Sequence, residues 1–98
     1  MTPAVAERRI RAIALDSGTV IFSQHAGERM AERDIFDFDV LRILREGSIR
    51  GDPEATERGE WQCKMVRKLR GGREAGVVTI IFHGGKLFVK TVEWEDLR

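Results

Sequence analysis

Hydrophobic residues recur at two different spacings along this chain, and the spacing changes near its middle. In residues 3–15, 23–33 and 37–46 they recur every three or four positions, which is typical of amphipathic helices. From residue 61 onward they alternate with polar residues, as Trp61 and Cys63 do with their neighbours, which is typical of a half-buried strand. The pattern predicts helices in the first half and a sheet in the second.

Residues that favour helix ends indicate where each predicted helix begins and stops. The first helix is expected to end near Asp16. Ser23 is a good N-cap, because its hydroxyl accepts a hydrogen bond from a free backbone N–H of the first turn, so the central helix is expected over 23–33. Asp37 is predicted to cap the third helix, and Gly47 to end it.

Several segments have the composition of strands and of the turns between them. Thr19–Phe22 and Ser48–Arg50 predict short strands, the first at a sheet edge. Val77–Phe82 is apolar apart from Thr79, as expected of a central strand covered on both faces or of a strand packed in an interface. Leu87–Trp94 is predicted as the last strand, after a two-residue hairpin turn within His83–Lys86.

Helices that precede a run of neighbouring strands indicate the α+β class. We predict N-terminal helices packed on one face of a mainly antiparallel sheet of about three to five strands. The simplest core joins one apolar residue or more from each element: Ala26, Met30, Val40, Leu44, Trp61, Cys63, Val78, Ile80 and Val89.

Length and composition narrow the class of protein further. The chain has 98 residues, 42% of them hydrophobic and 34% charged, which predicts one globular domain over 1–98. A single cysteine excludes an intrachain disulfide, and one Cys with two His leaves no recognisable metal cluster. No apolar run is long enough to cross a bilayer, and the N-terminus lacks the apolar core of a signal peptide. We therefore expect a cytoplasmic location, no membrane contact, no metal and no cofactor.

The net charge of +1 conceals an uneven distribution. Residues 64–73 carry five cations and no acid, whereas residues 52–60 carry four acids and Arg58. A cluster of this kind binds phosphates or surrounds a hairpin tip as solvated side chains. The cations, which we treat as candidate nucleic-acid contacts, are Lys64, Arg67, Lys68, Arg70 and Arg73.

The central helix combines core positions with candidate chemistry. At about 100° per residue, Ala26 and Met30 point one way, while His25, Arg29 and Glu32 cluster on the neighbouring face. One side of this helix is therefore expected to enter the core, and the other to present a histidine and an arginine one turn apart.

Several parts of the sequence resemble the DUF4258 family. They are the block Phe22-Ser23-x-His25-Ala26-x-x-Arg29-Met30-x-x-Arg33, the Ile35 segment, Asp39-Val40, Gly47 and the terminal Lys-Thr-Val strand. The resemblance covers about residues 19–94 and leaves the helix within 3–16 as an addition. DUF4258 domains are regarded as related to the RelE/ParE and BrnT-like toxins of bacterial toxin–antitoxin systems. The resemblance thus implies a RelE/BrnT-like fold, a toxin-like RNA-binding protein, endoribonuclease activity and an antitoxin-like protein partner.

Metal-free RNA cleavage needs a base for the 2′-hydroxyl proton, a cation for the developing phosphorane charge and an acid for the leaving oxygen. His25 is the best base or acid, because its ordinary pKa lies near neutrality, and Arg29 can hold phosphate with its forked donors. Arg33 or a hairpin cation is a candidate for assistance, Glu32 for orienting His25 or pairing with Arg29, and His83 for the second proton transfer.

Each of these residues also has a structural interpretation. His25 near a helix start can hydrogen-bond a neighbouring loop, and Arg29 and Arg33 can tie the helix to the sheet. His83 is placed by its Gly-Gly neighbours as an exposed turn residue. Two further functions therefore stay open: a non-catalytic module of the same fold that binds protein or nucleic acid, and a homodimer formed through Val77–Phe82 or the first helix.

Overall fold

The computed structural model describes residues 1–96 as three helices and a six-stranded sheet, which confirms the α+β class. In chain order the elements are α1 (Pro3–Ala14), β1 (Val20–Phe22), α2 (Gln24–Arg33), α3 (Asp37–Glu46), β2 (Ser48–Ile49), β3 (Glu54–Ala55), β4 (Trp61–Lys68), β5 (Glu74–Ile81) and β6 (Leu87–Trp94), with short 3-10 turns at Ser17–Thr19 and Arg70–Gly72. No helix within residues 1–96 has both the length and the apolar character needed to cross a membrane.

The sheet is open and mixed rather than a simple antiparallel meander. Its strand order is β1-β6-β5-β4-β2, and β3 also pairs with β4. The β1–β6 pair is parallel, and the other pairs are antiparallel. The sheet has one strand more than the three to five predicted, because the two-residue strand β3 was not expected from the sequence. The short strands β2 and β3 pair with successive parts of β4, at Met65–Val66 and at Trp61–Gln62.

All three helices contribute to one core on one face of the sheet. The α2 helix packs along β6, and α3 packs on β4 and β5. The α1 helix buries Ala6, Ile10 and Ala14 completely and lies against α3, so it is a core element rather than a free surface. Its middle turns are fixed to the α3–β2 junction, because Arg11 donates to the Gly47 carbonyl and Glu7 accepts from the Ile49 N–H.

The predicted core is correct for the helices but shifted by one residue in β5. Ala26, Val40, Leu44, Cys63 and Val89 are buried, and Met30 and Trp61 pack partly buried against them. Val78 and Ile80 instead lie half-buried on the open face of the sheet, while the side chains that enter the core are those of Val77, Thr79 and Ile81. The run has apolar residues on both faces and no regular alternation around Thr79, so it cannot indicate which of its two faces is inward.

The β5 strand is paired along both edges, with β4 on one side and β6 on the other. Its apolar composition is thus explained by a central position, with the helices covering one face. Because both rows of backbone hydrogen bonds are occupied, the expected homodimer cannot form by strand pairing at Val77–Phe82.

The helix caps follow the sequence at α2 but not at α3. The Ser23 hydroxyl accepts from the Ala26 N–H at 3.0 Å, as predicted. The prediction of Asp37 as a cap is wrong, because Phe36 is the N-cap residue and Asp37 is the first residue inside the helix. The capping group is the Asp39 carboxylate, which accepts from the Phe36 N–H at 2.9 Å.

Two glycines are required for different physical reasons. Gly47 has an extended backbone, and a Cβ there would lie 2.4 Å from the Ile43 carbonyl oxygen and 2.6 Å from that of Val66. Gly85 has φ +81°, in a β5–β6 loop that Phe82 and Lys86 close by hydrogen bonding. That loop has three residues rather than the predicted two, with the glycine at its left-handed position.

Candidate functional site

The α2 block, which is the block of residues 22–33 that resembles DUF4258, is held to the rest of the protein by its apolar residues and by its cap. Ala26 is fully buried, and Phe22 and Met30 pack against the core. The Ser23 hydroxyl both caps the helix and donates to the Lys90 carbonyl of β6 at 3.1 Å. These contacts fix the first turn of α2 beside the middle of β6.

Arg33 fixes the opposite end of α2 to the same strand. Its Nη1 donates to the Val92 carbonyl at 2.8 Å, and its own carbonyl accepts from the Trp94 indole N–H at 2.8 Å. Trp94 is buried. Of the roles left open for Arg33, the structure has the tie between helix and sheet, since its guanidinium joins α2 to β6, and a contact with nucleic acid stays a prediction.

Arg29 and Glu32 form a pair on the outer side of α2. Arg29 Nη1 lies 2.6 Å from Glu32 Oε2. Of the two roles expected for Glu32, the structure thus has the pairing with Arg29. The Arg29 Nε atom is buried and has no hydrogen-bond partner within residues 1–96, so its guanidinium is only partly satisfied.

His25 is exposed on the first turn of α2, one turn before Arg29. Its imidazole makes no hydrogen bond to any other residue in the part of the chain that the structure describes. The block contains seven specified residues, and six of them have the packing or polar contacts just described. His25 is the one whose side chain has no structural contact of this kind.

The segment that begins with this block also matches a known family model. Residues 22–94 match DUF4258, a domain of unknown function. This chain belongs to the DUF4258 family. No curated protein and no solved structure matches it. The DUF4258 segment includes α2, α3 and strands β2 to β6, and it leaves α1 outside.

The predicted basic cluster of this DUF4258 chain is largely neutralised by carboxylates. Arg70 Nη1 contacts both Asp39 oxygens at 2.9 and 3.0 Å, and its Nη2 donates to the Asp34 carbonyl. Arg73 forms two hydrogen bonds with Asp96, which lower the pKa of that carboxyl. The Arg73 guanidinium also lies 4.1 Å from the centre of the Trp94 ring.

The remaining cations of the cluster point to opposite faces of the sheet. Lys64 lies on the open face, with its ammonium 2.9 Å from Glu93 and 2.8 Å from Glu95. Burial is the largest single influence on the Lys64 pKa and lowers it, but the hydrogen bonds to Glu95 and Glu93 and the attraction of their negative charges together outweigh burial, so the pKa is raised. Arg67 lies on the helical face and pairs with Glu46 of α3 at 3.4 Å.

Lys68 is exposed and has no ion pair within residues 1–96. Strand alternation thus places Lys64 and Arg67 of β4 on opposite faces, and neighbouring acids pair with four of the five cations. The sequence run does not fold into one continuous basic surface.

His83 lies in the β5–β6 loop, apart from the α2 block. It is exposed, as its Gly-Gly neighbours suggested, and its Nε2 lies 3.0 Å from the Arg58 carbonyl oxygen. Its backbone N–H donates to the buried Glu60 carboxylate. These contacts join the hairpin loop to the loop between β3 and β4, so His83 has a structural role that His25 lacks.

An exposed aromatic pair was not predicted from the sequence. Phe36 and Phe38 are 47% and 60% exposed and stack with their ring centres 5.3 Å apart. The Arg70 guanidinium lies 5.4 Å from the centre of the Phe36 ring. The signal was available, since residues two positions apart at a helix start cannot both face the core.

Within residues 1–96, no group of three or more His, Cys, Asp and Glu side chains is placed to hold a metal ion. Cys63 is buried, and burial raises the pKa of its thiol to about 11, so it is a poor nucleophile at neutral pH.

Proposed function

We propose that this chain is a toxin-like, RNA-binding protein that cleaves RNA without a metal ion, with His25 and Arg29 as its catalytic residues. The observation that carries the proposal is the exposed His25 imidazole, which the fold does not use, one helical turn from an arginine. The proposal includes a relationship to the RelE/ParE and BrnT-like toxins, a cytoplasmic location and control by an antitoxin-like protein.

The arrangement suits phosphodiester cleavage by the neighbouring 2′-hydroxyl. His25 takes the 2′-hydroxyl proton as the 2′-oxygen attacks phosphorus, giving a 2′,3′-cyclic phosphate and a free 5′-hydroxyl. Arg29 Nη1 is engaged by Glu32, and its Nη2 makes no hydrogen bond within residues 1–96. We assign Arg29 Nη2 to the phosphate oxygen on which negative charge develops. Protonated His25 or water then supplies the proton to the leaving 5′-oxygen.

Cleavage of a labelled single-stranded RNA by the purified protein in excess EDTA tests the proposal. His25→Ala should lower the rate by about a hundredfold or more, the usual contribution of general acid–base catalysis. His83→Ala is the matched control and should cleave at the wild-type rate. Circular dichroism checks the fold of each variant. The proposal is wrong if folded His25→Ala cleaves like the wild type, or if EDTA abolishes cleavage.

The exposed Phe36–Phe38 pair favours a second candidate function, a non-catalytic module that binds protein. Aromatic side chains beside an arginine are the residues most enriched at the energetic centres of protein interfaces. The partner is a second copy or an antitoxin-like protein. Because β5 is paired on both edges, the aromatic pair is a better candidate for a homodimer contact than Val77–Phe82.

The double variant Phe36→Ser, Phe38→Ser tests this second function. We expect the variant to stay folded, since both rings are substantially exposed, and to lose any self-association of the wild type measured by light scattering. Ile21→Ser is a suitable control, because Ile21 is also exposed but lies on the far edge of the sheet. A wild-type protein that is monomeric at all concentrations, or a dimer unaffected by the double variant, would exclude the aromatic pair as a dimer contact.

A further inference from the structure

The open face of the sheet carries a groove that the proposed function does not use. It has a volume of about 630 Å³ and lies between the β3–β4 loop and the strands β5 and β6. Ile80, Phe82 and Phe88 form its apolar floor, and the two phenylalanine rings stack with centres 5.3 Å apart. Neither His25 nor Arg29 is among the residues that line it.

Hydrogen bonds hold the two walls of this open-face groove in place. The wall formed by the β3–β4 loop is closed on itself, because the Thr56 N–H donates to the Glu60 carbonyl at 2.7 Å. Two contacts with His83 join this wall to the β5–β6 loop. The Glu60 carboxylate accepts from the His83 N–H, and the Arg58 carbonyl lies within hydrogen-bond distance of His83 Nε2. A groove built this way is already formed before anything binds, which lowers the entropic cost of binding.

The groove rim has an excess of negative charge that the protein does not neutralise. Glu54 and Glu57 are exposed on the rim, and neither forms an ion pair within residues 1–96. Glu60 adds a buried third carboxylate, against two lining cations, Arg58 and Lys90. Neither cation forms an ion pair within residues 1–96, and Lys90 donates to the neutral Gln62 side chain at 3.1 Å, so the groove lining has one carboxylate more than it has cations.

We propose that this groove docks a protein segment in which basic and apolar residues alternate. The apolar side chains of the segment would pack on Ile80, Phe82 and Phe88. Its lysine or arginine side chains would pair with Glu54 and Glu57, and a guanidinium or ammonium group can also lie over a phenylalanine face. This inference goes beyond the proposed RNA cleavage and does not depend on it.

Charge distinguishes this occupant from RNA. The three lining carboxylates outnumber the two lining cations, so the net charge of the groove repels phosphates and attracts a cationic segment. The apolar floor also favours a peptide whose side chains alternate, because an extended chain presents every second side chain to one surface. The groove therefore suits a basic peptide better than a nucleic acid.

Fluorescence anisotropy with short synthetic peptides tests the inference. One panel alternates Lys or Arg with Leu or Phe, and a matched panel has Glu in place of the basic residues. We expect the basic peptides to bind, with affinity that falls as salt is added, and to shift amide signals of the groove in NMR spectra. The variant Glu54→Gln, Glu57→Gln should bind about fivefold or more weakly, as expected from the loss of two exposed ion pairs.

Glu28→Gln is the matched control, because Glu28 is an exposed carboxylate on α2 outside the groove, and this variant should bind like the wild type. The inference is overturned if no basic peptide binds or if the Glu panel binds more tightly. It is equally overturned if the double variant binds like the wild type, or if single-stranded RNA shifts the groove signals at lower concentration than the peptides. None of these results depends on RNA cleavage, so failure here is distinct from failure of the proposed function.

Discussion

At the scale of single residues, the α2 block separates side chains that build the fold from one that does not. Ser23 caps the helix and contacts β6, Arg33 ties its far end to the same strand, and Arg29 pairs with Glu32. The His25 imidazole makes no hydrogen bond within residues 1–96, and the residue is exposed. An exposed imidazole costs nothing to leave unpaired, so its presence here is not explained by stability.

Arg70 is the opposite case, a cation expected to bind nucleic acid that instead stabilises the fold. Asp39 is only 5% exposed and accepts from both the Phe36 N–H and Arg70. Arg70 also bonds the Asp34 carbonyl, so it links the α2–α3 connection to the loop after β4. Removing the arginine leaves a buried carboxylate without its charged partner, which is costly.

Arg70→Ala should therefore lower the free energy of unfolding by about 1–3 kcal/mol, the range for a buried polar group that loses its partner. Lys68→Ala is the control, because Lys68 is exposed and unpaired in the described chain, and it should change stability by less than about 0.5 kcal/mol. Urea denaturation at neutral pH measures both variants. Equal stabilities for the two would show that the Arg70–Asp39 pair does not matter to the fold.

At the scale of elements, the backbone is closely packed at the α3–β2 junction, and α1 is fixed to the same junction. Gly47 ends α3 where its Cα approaches the Ile43 and Val66 carbonyls, and its own carbonyl accepts two hydrogen bonds from Arg11. This junction joins α1, α3 and β4, so an added methyl group there must displace backbone rather than a flexible side chain.

Gly47→Ala should destabilise the protein by about 2 kcal/mol or more through overpacking. Gly27→Ala provides the matched control, because a Cβ at Gly27 meets nothing within 4 Å inside α2. Alanine there should stabilise the protein by about 0.5–1 kcal/mol, since it favours the helix. Thermal unfolding distinguishes the two. A tolerated Gly47→Ala would show that the junction adjusts, against the close contacts described here.

The local elements could be predicted from the sequence, because their signals are local. Ser23 as a cap, the end of α2 before Asp34 and the bounds of β6 all follow from neighbouring residues. The inward face of β5 could not be predicted, since its largely apolar run has no regular alternation. The partners of the 64–73 cations could not be predicted either, because they come from other elements: Asp39, Asp96, Glu46, Glu93 and Glu95.

The site shows the same division between local and long-range information. The exposed helical face with His25 and Arg29 follows from helical periodicity alone. The structural role of Arg33 depends on β6, 59 residues later in the chain, and could not be predicted from local pattern. The open-face groove likewise exists only once the β3–β4 loop and the β5–β6 hairpin lie side by side.

At the scale of the whole molecule, the helices and the sheet of this DUF4258 chain present three distinct surfaces. The first turn of α2 carries His25, the start of α3 carries the exposed aromatic pair, and the open sheet face carries the groove. Most of the cations expected to attract RNA are paired within the protein, and the net charge is only +1. Under the proposed function, we therefore expect RNA recognition to depend on a few specific contacts at α2 rather than on a broad basic surface.

The most direct test of this account is the response of the two imidazoles to RNA. The chain has two histidines, so a carbon–proton NMR spectrum contains two imidazole Cε1–H signals, which His25→Asn and His83→Asn assign. On titration with a single-stranded RNA whose 2′-hydroxyls are methylated to prevent cleavage, the account predicts that the His25 signal shifts to saturation while that of His83 stays in place. A His83 signal that shifts alone, or bound RNA that moves neither signal, would contradict it.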